Sequence, residues 1–165
     1  MLRVTTSFWE LDPKTSLYNW RFRPRWQNSG GTPTKHLRSH VECEIRNSPL
    51  PTSYAFNLES DNVGKGIIGP KEALTGGVAP QGAAVTPQDI ADAQAFRKFI
   101  YLIGWVKYFD VFPNTPEHVT HFCWLILVTG DPQTFVPNTP GQPPTTGTLN
   151  FQYLQHTEGN YASEK

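Results

Sequence analysis

The stretch YLIGWVKYFDVFPNTPEHVTHFCW, residues 101–124, decides the fold class of this chain. Two runs rich in apolar and aromatic residues flank a turn built from Pro113, Asn114, Thr115 and Pro116. Runs of this kind on either side of turn residues are typical of two long antiparallel strands joined by a loop. We expect strands over residues 99–109 and 118–129. Because both runs are apolar on both faces, we expect two central strands that are covered on both sides.

Five further strands are predicted around this hairpin, over residues 4–10, 18–26, 35–46, 54–58 and 149–156. The second of these has the clearest pattern, since aromatic residues alternate with polar ones, as expected for a half-buried strand. The aromatic face carries Tyr18, Trp20, Phe22 and Trp26, and the polar face carries Asn19, Arg21, Arg23 and Arg25. Pro24 cannot donate a backbone hydrogen bond to a neighbouring strand, which places this strand near an edge or at a bulge.

One short helix is predicted directly before the hairpin. Thr86 can cap its first turn, Pro87 suits the first helical position, and the Asp89 side chain can reach back to the cap. We expect this helix to end near Arg97. The preceding residues 59–85 are rich in glycine and small side chains, which predicts a long loop with room for one short strand.

Composition agrees with an all-β protein. The chain of 165 residues is long enough for one domain with a sizeable core. Its 15 prolines and 13 glycines punctuate aromatic and β-branched runs, which favours a sandwich or barrel. We therefore predict an immunoglobulin-like antiparallel β-sandwich of about seven strands with one short helix before the central hairpin. It forms a single domain over residues 1–156, and residues 157–165 are expected to form a polar tail.

Charge and hydropathy exclude several classes of partner. Fourteen basic residues balance fourteen acidic ones, so the sequence lacks the basic footprint of a nucleic-acid-binding protein. No run approaches the roughly 20 apolar residues of a membrane helix, so no membrane contact is expected from this segment. The cysteines, Cys43 and Cys123, do not form a disulfide framework, and we expect both to be buried free thiols.

A metal site is considered at His118, His121 and Cys123. Zinc favours such ligands, but its usual patterns place His pairs on a helix or Cys pairs at tight turns. On a strand, His118 and His121 point to opposite faces. We therefore predict no metal and no cofactor.

A catalytic site is considered at Asp110, His118 and His121, which would lie across the hairpin from one another. The sequence contains no G-x-S-x-G motif, no phosphate-binding glycine loop and no dinucleotide fingerprint. The alternative for Asp110 is a turn residue that accepts hydrogen bonds from nearby backbone amides.

Four arginines are assigned to a ligand or partner face. Arg21, Arg23 and Arg25 project from one face of the second strand, and Arg38 lies on the solvent face of the third. Guanidinium groups suit carboxylate or phosphate ligands. The alternative is pairing with acidic residues on neighbouring strands, which is common on exposed sheet faces.

Several segments resemble a family of uncharacterised bacterial proteins. They are WQNSGGTPTKHL at 26–37, IGPK at 68–71, TPQD at 86–89 and GWVKYFDVFPNTPEHVTHFC at 104–123. In that family, similar segments form a soluble domain that follows an N-terminal membrane helix and a helical linker. The resemblance implies that this segment is the soluble part of a membrane-tethered bacterial protein. It implies no activity.

These observations favour a non-catalytic interaction or sensing domain with a protein partner. The alternative is a hydrolase-like or metal-dependent enzyme that uses Asp110, His118 and His121. A third hypothesis is a carbohydrate-binding module that uses exposed aromatic side chains.

Overall fold

The computed structural model describes residues 2–56, 63–76, 85–130, 140 and 150–163. These residues contain nine strands and one helix. The elements are β1 (Leu2–Leu11), β2 (Tyr18–Gln27), β3 (Thr34–Arg46), β4 (Gly64–Gly66), β5 (Ala73–Thr75), α1 (Pro87–Gln94), β6 (Phe99–Asp110), β7 (His118–Thr129), β8 (Asn150–Gln155) and β9 (Tyr161–Ala162).

The strands form two antiparallel sheets. The smaller sheet has the order β1-β2-β5, and the larger has the order β4-β3-β6-β7-β8, with β9 also paired to β7. The predicted all-β architecture is thus confirmed, including the short helix before the central hairpin. Strands β6 and β7 lie in the middle of the larger sheet, as their apolar sequences predicted.

One hydrophobic core fills the space between the sheets. The aromatic face of β2 contributes Trp20, Phe22 and Trp26, which pack against apolar side chains of β3, β6 and β7. Helix α1 adds Ile90 and Ala93 to the same core. The aromatic face of β2 therefore faces the larger sheet, and the arginines of β2 point away from that sheet.

Pro24 lies at a bulge. The pairing of β1 with β2 shifts register between Val4 and Thr6, opposite Pro24 and Arg23. A residue without a backbone N–H is tolerated where the ladder is interrupted. Of the two predicted placements of this proline, near an edge or at a bulge, the structure shows the bulge.

A second, smaller apolar cluster covers part of the outer face of the larger sheet. It contains Leu50, Tyr101, Ile103 and Cys123, with Tyr54 and Phe56 packed against it. The Leu50 backbone N–H donates to the Tyr101 hydroxyl at 3.1 Å. The predicted strand over residues 54–58 is wrong for residues 54–56, which form no strand. Their side chains cover the sheet instead, and residues 57 and 58 lie outside the described residues.

Three short strands, β4, β5 and β9, were not individually predicted from the sequence. Strand β4 pairs with β3, and β5 pairs with β2, so the chain between them passes from one sheet to the other. Strand β9 lies within the expected polar tail, where Tyr161 pairs with His121. No helix among the described residues is long and apolar enough to cross a membrane.

Candidate functional site

A cavity of about 510 Å³ opens between the two sheets, at the end where β6 leads into the turn before β7. Trp26 of β2 and Leu37 of β3 form part of its apolar wall. Tyr108 and Asp110 from β6, with His118 and Thr120 from β7, supply its polar groups. These four residues share the core-facing side of the hairpin, because Tyr108 pairs directly with His118 and Val106 with Thr120.

The turn between β2 and β3 forms one rim of the cavity. The Asn28 side-chain amide donates to the carbonyls of Thr32 at 2.6 Å and Ile68 at 3.3 Å, and Asn28 Oδ1 accepts from the Gly30 N–H at 2.9 Å. The Ile68 N–H donates to Thr34 Oγ1 at 2.9 Å. Asn28 therefore links three backbone groups, so the rim is held in place before any ligand binds.

Asp110, His118 and Tyr108 form the polar centre of the cavity. His118 Nε2 and Asp110 Oδ2 lie 3.0 Å apart, and the His118 ring stacks on Tyr108 with centroids 5.1 Å apart. His118 is 9% exposed. Burial, together with the nearby Asp110 carboxylate, raises the pKa of the Tyr108 hydroxyl, which stays protonated at neutral pH.

Two polar groups of this centre remain available for a ligand. The second ring nitrogen of His118, Nδ1, and the Tyr108 hydroxyl have no hydrogen-bond partner among the described residues. With Nε2 donating to Asp110, Nδ1 accepts a hydrogen bond when the imidazole is neutral and donates one when it is protonated. The phenol can donate and accept.

His121 lies on the opposite face of the sheet from His118. It lies opposite Trp105 of β6 and Tyr161 of β9. Because it is three residues from His118 along the same strand, its side chain projects from the outer face of the sheet. Burial, with a smaller effect from Lys107, lowers the pKa of His121. The structure therefore brings Asp110 and His118 together but separates His121 from both. Within the described residues, no group of three or more His, Cys, Asp or Glu side chains is placed to hold a metal ion.

The two cysteines also lie on opposite faces of the larger sheet. Cys43 packs against the core between the sheets, whereas Cys123 belongs to the outer cluster. Burial raises the pKa of both thiols, that of Cys123 to about 12. Because the sheet separates them, the two sulfurs cannot form a disulfide with each other.

The four arginines assigned to a partner face do not share one. Arg21 pairs with Glu10 at 2.8 Å, and the Arg23 guanidinium lies 4.9 Å from the centre of the Phe8 ring. Arg25 is exposed on the same side of β2. Arg38 belongs to the other sheet, where it pairs with Glu117 at 2.7 Å.

The most exposed aromatic side chains in the described part of the chain are scattered. Phe112 lies at the cavity, Phe96 follows α1, and Tyr161 lies on β9, with exposures of 59%, 69% and 55%. They do not combine into one flat surface.

Comparisons of the chain with known protein families, with curated proteins and with solved structures found no match. Function is therefore inferred from the geometry of the site.

Sequence reasoning identified Asp110 and His118 but did not assign Tyr108, Trp26 or the Asn28 turn to a site. The period-two rule could have added Tyr108, since it lies two residues before Asp110 on the same face. Trp26 comes from the other sheet and Asn28 from the turn that follows it, so the position of both depends on how the sheets pack.

Proposed function

We propose that this chain is a non-catalytic β-sandwich domain that binds a small ligand in the cavity between its sheets and thereby serves as a sensing module. The observation that carries the proposal is the cavity of about 510 Å³ in which Tyr108, Asp110 and His118 face an apolar wall. Cavities of this size with a few convergent polar groups are typical of small-molecule sites. The immunoglobulin-like character of the sandwich is part of this proposal, supported by two antiparallel sheets around one core.

The lining indicates a neutral or cationic ligand. Among the described residues, it contains Asp110 and His118 but no lysine or arginine. An anion bound beside the Asp110 carboxylate would be repelled by it, whereas a cation or a neutral hydrogen-bond donor would not. A ligand with an apolar body and hydroxyl or amine groups matches both the wall and the polar groups of Tyr108 and His118.

The surroundings of His118 support binding over catalysis. A histidine that works as a general base needs its substrate or a nucleophile within hydrogen-bond reach. No hydroxyl or thiol of the described residues hydrogen-bonds to His118. Cys43 and Cys123 are held in the core and in the outer cluster, and their raised pKa values disfavour the reactive thiolate.

A second candidate function is supported by the 3.0 Å contact between Asp110 and His118. A carboxylate that orients an imidazole is one part of the machinery by which hydrolases activate a nucleophile or water. With His121 on the opposite face, this hydrolase-like alternative would use Asp110 and His118 alone.

The proposal is tested by a thermal-shift screen in which polyols, amines and aromatic alcohols are added separately to the wild type and to two variants. Thr120→Trp fills the cavity, and Val119→Trp places the same side chain on the outer face, one residue away. We expect a compound that raises Tm in the wild type and in Val119→Trp but not in Thr120→Trp, because a ligand stabilises only the state that binds it.

Two outcomes would contradict the proposal. One is a screen in which no compound raises Tm, and the other is a shift that persists in Thr120→Trp. Tyr108→Phe serves as a milder variant, in which a weaker shift is expected because one hydrogen bond is lost. Turnover of a screened ester by the wild type and its loss in His118→Ala would favour the hydrolase-like alternative.

A further inference from the structure

Three cationic side chains lie side by side on the outer face of the larger sheet. Lys65 of β4 is the direct partner of Arg38 on β3, and Arg38 is the direct partner of Lys107 on β6. Directly paired residues of neighbouring strands project from the same face, with Cβ atoms about 5 Å apart. We call these three residues the basic row.

Such an arrangement disfavours folding unless the charges are offset, since like charges directly opposite each other are destabilising. Arg38 is offset by Glu117 at 2.7 Å, and the Lys107 ammonium lies 4.8 Å from the centre of the Trp105 ring. The Lys65 side chain is exposed and has no ion-pair or hydrogen-bond partner among the described residues. The basic row is therefore incompletely neutralised at the Lys65 end.

The neighbouring segment of β3 adds the Lys35 side chain to this positive region. The pairing of β3 with β6 shifts register between Lys35 and Arg38, and within this bulge His36 has a φ of 50°. Left-handed backbone is unfavourable for a residue with a side chain, and bulges re-aim the side chains that they carry. An open groove here is lined by Lys35, His36, Arg38 and Lys65.

The groove also offers features that a protein segment can use. Strand β4 is the last strand at its side of the described sheet, so a further strand can pair with its outer edge. Ile67 follows β4 directly, lines the groove and is 68% exposed. The site thus combines a strand edge, an apolar side chain and excess positive charge.

We propose that this groove binds an extended acidic segment of a partner protein, which adds a strand to the edge of β4. An acidic residue opposite Lys65 would continue the basic row with a negative charge, and the methylene groups of the next acidic side chain on that face would lie against Ile67. Main-chain pairing supplies affinity in this mode of recognition, and the side chains supply specificity.

The lining of the groove favours a peptide over nucleic acid. Proteins that bind single-stranded nucleic acid stack bases on aromatic side chains. No Phe, Tyr or Trp of the described residues lines this groove. The chain has no net positive charge, whereas nucleic-acid-binding proteins commonly carry a strong excess.

The test is a titration of fluorescent peptides followed by anisotropy. The probe is an alternating Glu–Val peptide of about eight residues, the length of an ordinary strand. Alternating Ser–Val and Lys–Val peptides of equal length are the controls, and a short DNA duplex and inorganic phosphate are tested in parallel. We expect the Glu–Val peptide to bind best, and its affinity to fall as salt is raised.

Charge reversal locates the site. Lys65→Glu should weaken binding of the Glu–Val peptide at least about tenfold, since a favourable contact becomes a repulsive one. Lys65→Gln should have a smaller effect in the same direction. The matched control is Arg25→Glu, an equal charge change on the other sheet, which should leave the affinity unchanged. Circular dichroism of each variant checks that it is folded.

Four results would overturn the inference. Three are equal binding of the Ser–Val peptide, tighter binding of the DNA duplex than of the Glu–Val peptide, and an affinity that Lys65→Glu leaves unchanged. Displacement of the peptide by phosphate at low concentration would identify a simple anion site and would also overturn it.

Discussion

The two ends of the β6–β7 hairpin differ although they belong to the same pair of strands. At the end formed by the start of β6 and the last residues of β7, helix α1 packs over the core-facing side, where Val85, Ile90, Ile100 and Ile126 are almost fully buried. At the other end, Tyr108, Asp110, His118 and Thr120 face a cavity. One sheet therefore has a closed, apolar end and an open, polar end.

This difference separates stability from recognition. The closed end buries aliphatic side chains that stabilise the fold through packing. The open end holds an aspartate and a histidine where more apolar residues would pack better, an arrangement that costs stability and is typical of binding sites. Substitutions at the two ends should accordingly have different consequences.

The largest expected effect is at the closed end. Ile90 is 0% exposed and lies in the core between the helix and the sheets. Ile90→Ala should lower the free energy of unfolding by about 2–5 kcal/mol, because it leaves a cavity among side chains that cannot collapse fully. Urea denaturation measures the change.

The matched control for this substitution is Thr120→Ala at the open end, which also truncates a core-facing side chain. Its expected cost is below about 1 kcal/mol, since the hydroxyl borders a cavity that already exists. A loss from Thr120→Ala as large as that from Ile90→Ala would show that the open end is also a packing region.

A smaller effect is expected from the cap of α1. Thr86 and Asp89 form a capping box, and Lys98 pairs with Asp89 at 2.6 Å. Burial alone would raise the pKa of Asp89, but hydrogen bonds from Lys98 and Thr86 outweigh it and hold the pKa below its usual value. A carboxylate with a lowered folded-state pKa stabilises the protein above its unfolded-state pKa, about 3.9, and loses this contribution as the pH falls through the folded-state value.

We therefore expect Asp89→Asn to lower stability by about 1 kcal/mol at pH 7, a value reduced by partial solvent exposure of the pair. The difference between wild type and variant should narrow as the pH falls below about 4. Thermal unfolding across this range measures it. If the difference in stability stays constant with pH, the charge of Asp89 contributes nothing to the stability of the closed end.

Features that depend on neighbouring residues in the chain were predictable from the sequence. The capping box needs only Thr86 and Asp89 in the correct spacing, and it occurs as predicted. The opposite orientations of His118 and His121 follow from the period of a strand. Strand β7 has the bounds that its apolar run indicated, His118–Thr129.

Features that depend on contacts between distant segments were not predictable. Strands β4 and β5 have three residues each and carry no strand pattern of their own, since pairing with β3 and β2 defines them. Tyr54 and Phe56 have the spacing of a strand, but they pack as a loop over the outer cluster. The cavity depends on the distance between the sheets, which no local pattern encodes.

The most direct test of the central claim is chemical-shift mapping of the ¹⁵N-labelled protein during a fragment screen by NMR. If the open end is the ligand site, fragments that bind should shift the amides of Tyr108, His118 and Thr120 and the indole N–H of Trp26, while those of Val85, Ile90 and Ile100 at the closed end stay unchanged. Fragments that bind at the closed end, or that leave His118 and Tyr108 unperturbed, would contradict the account.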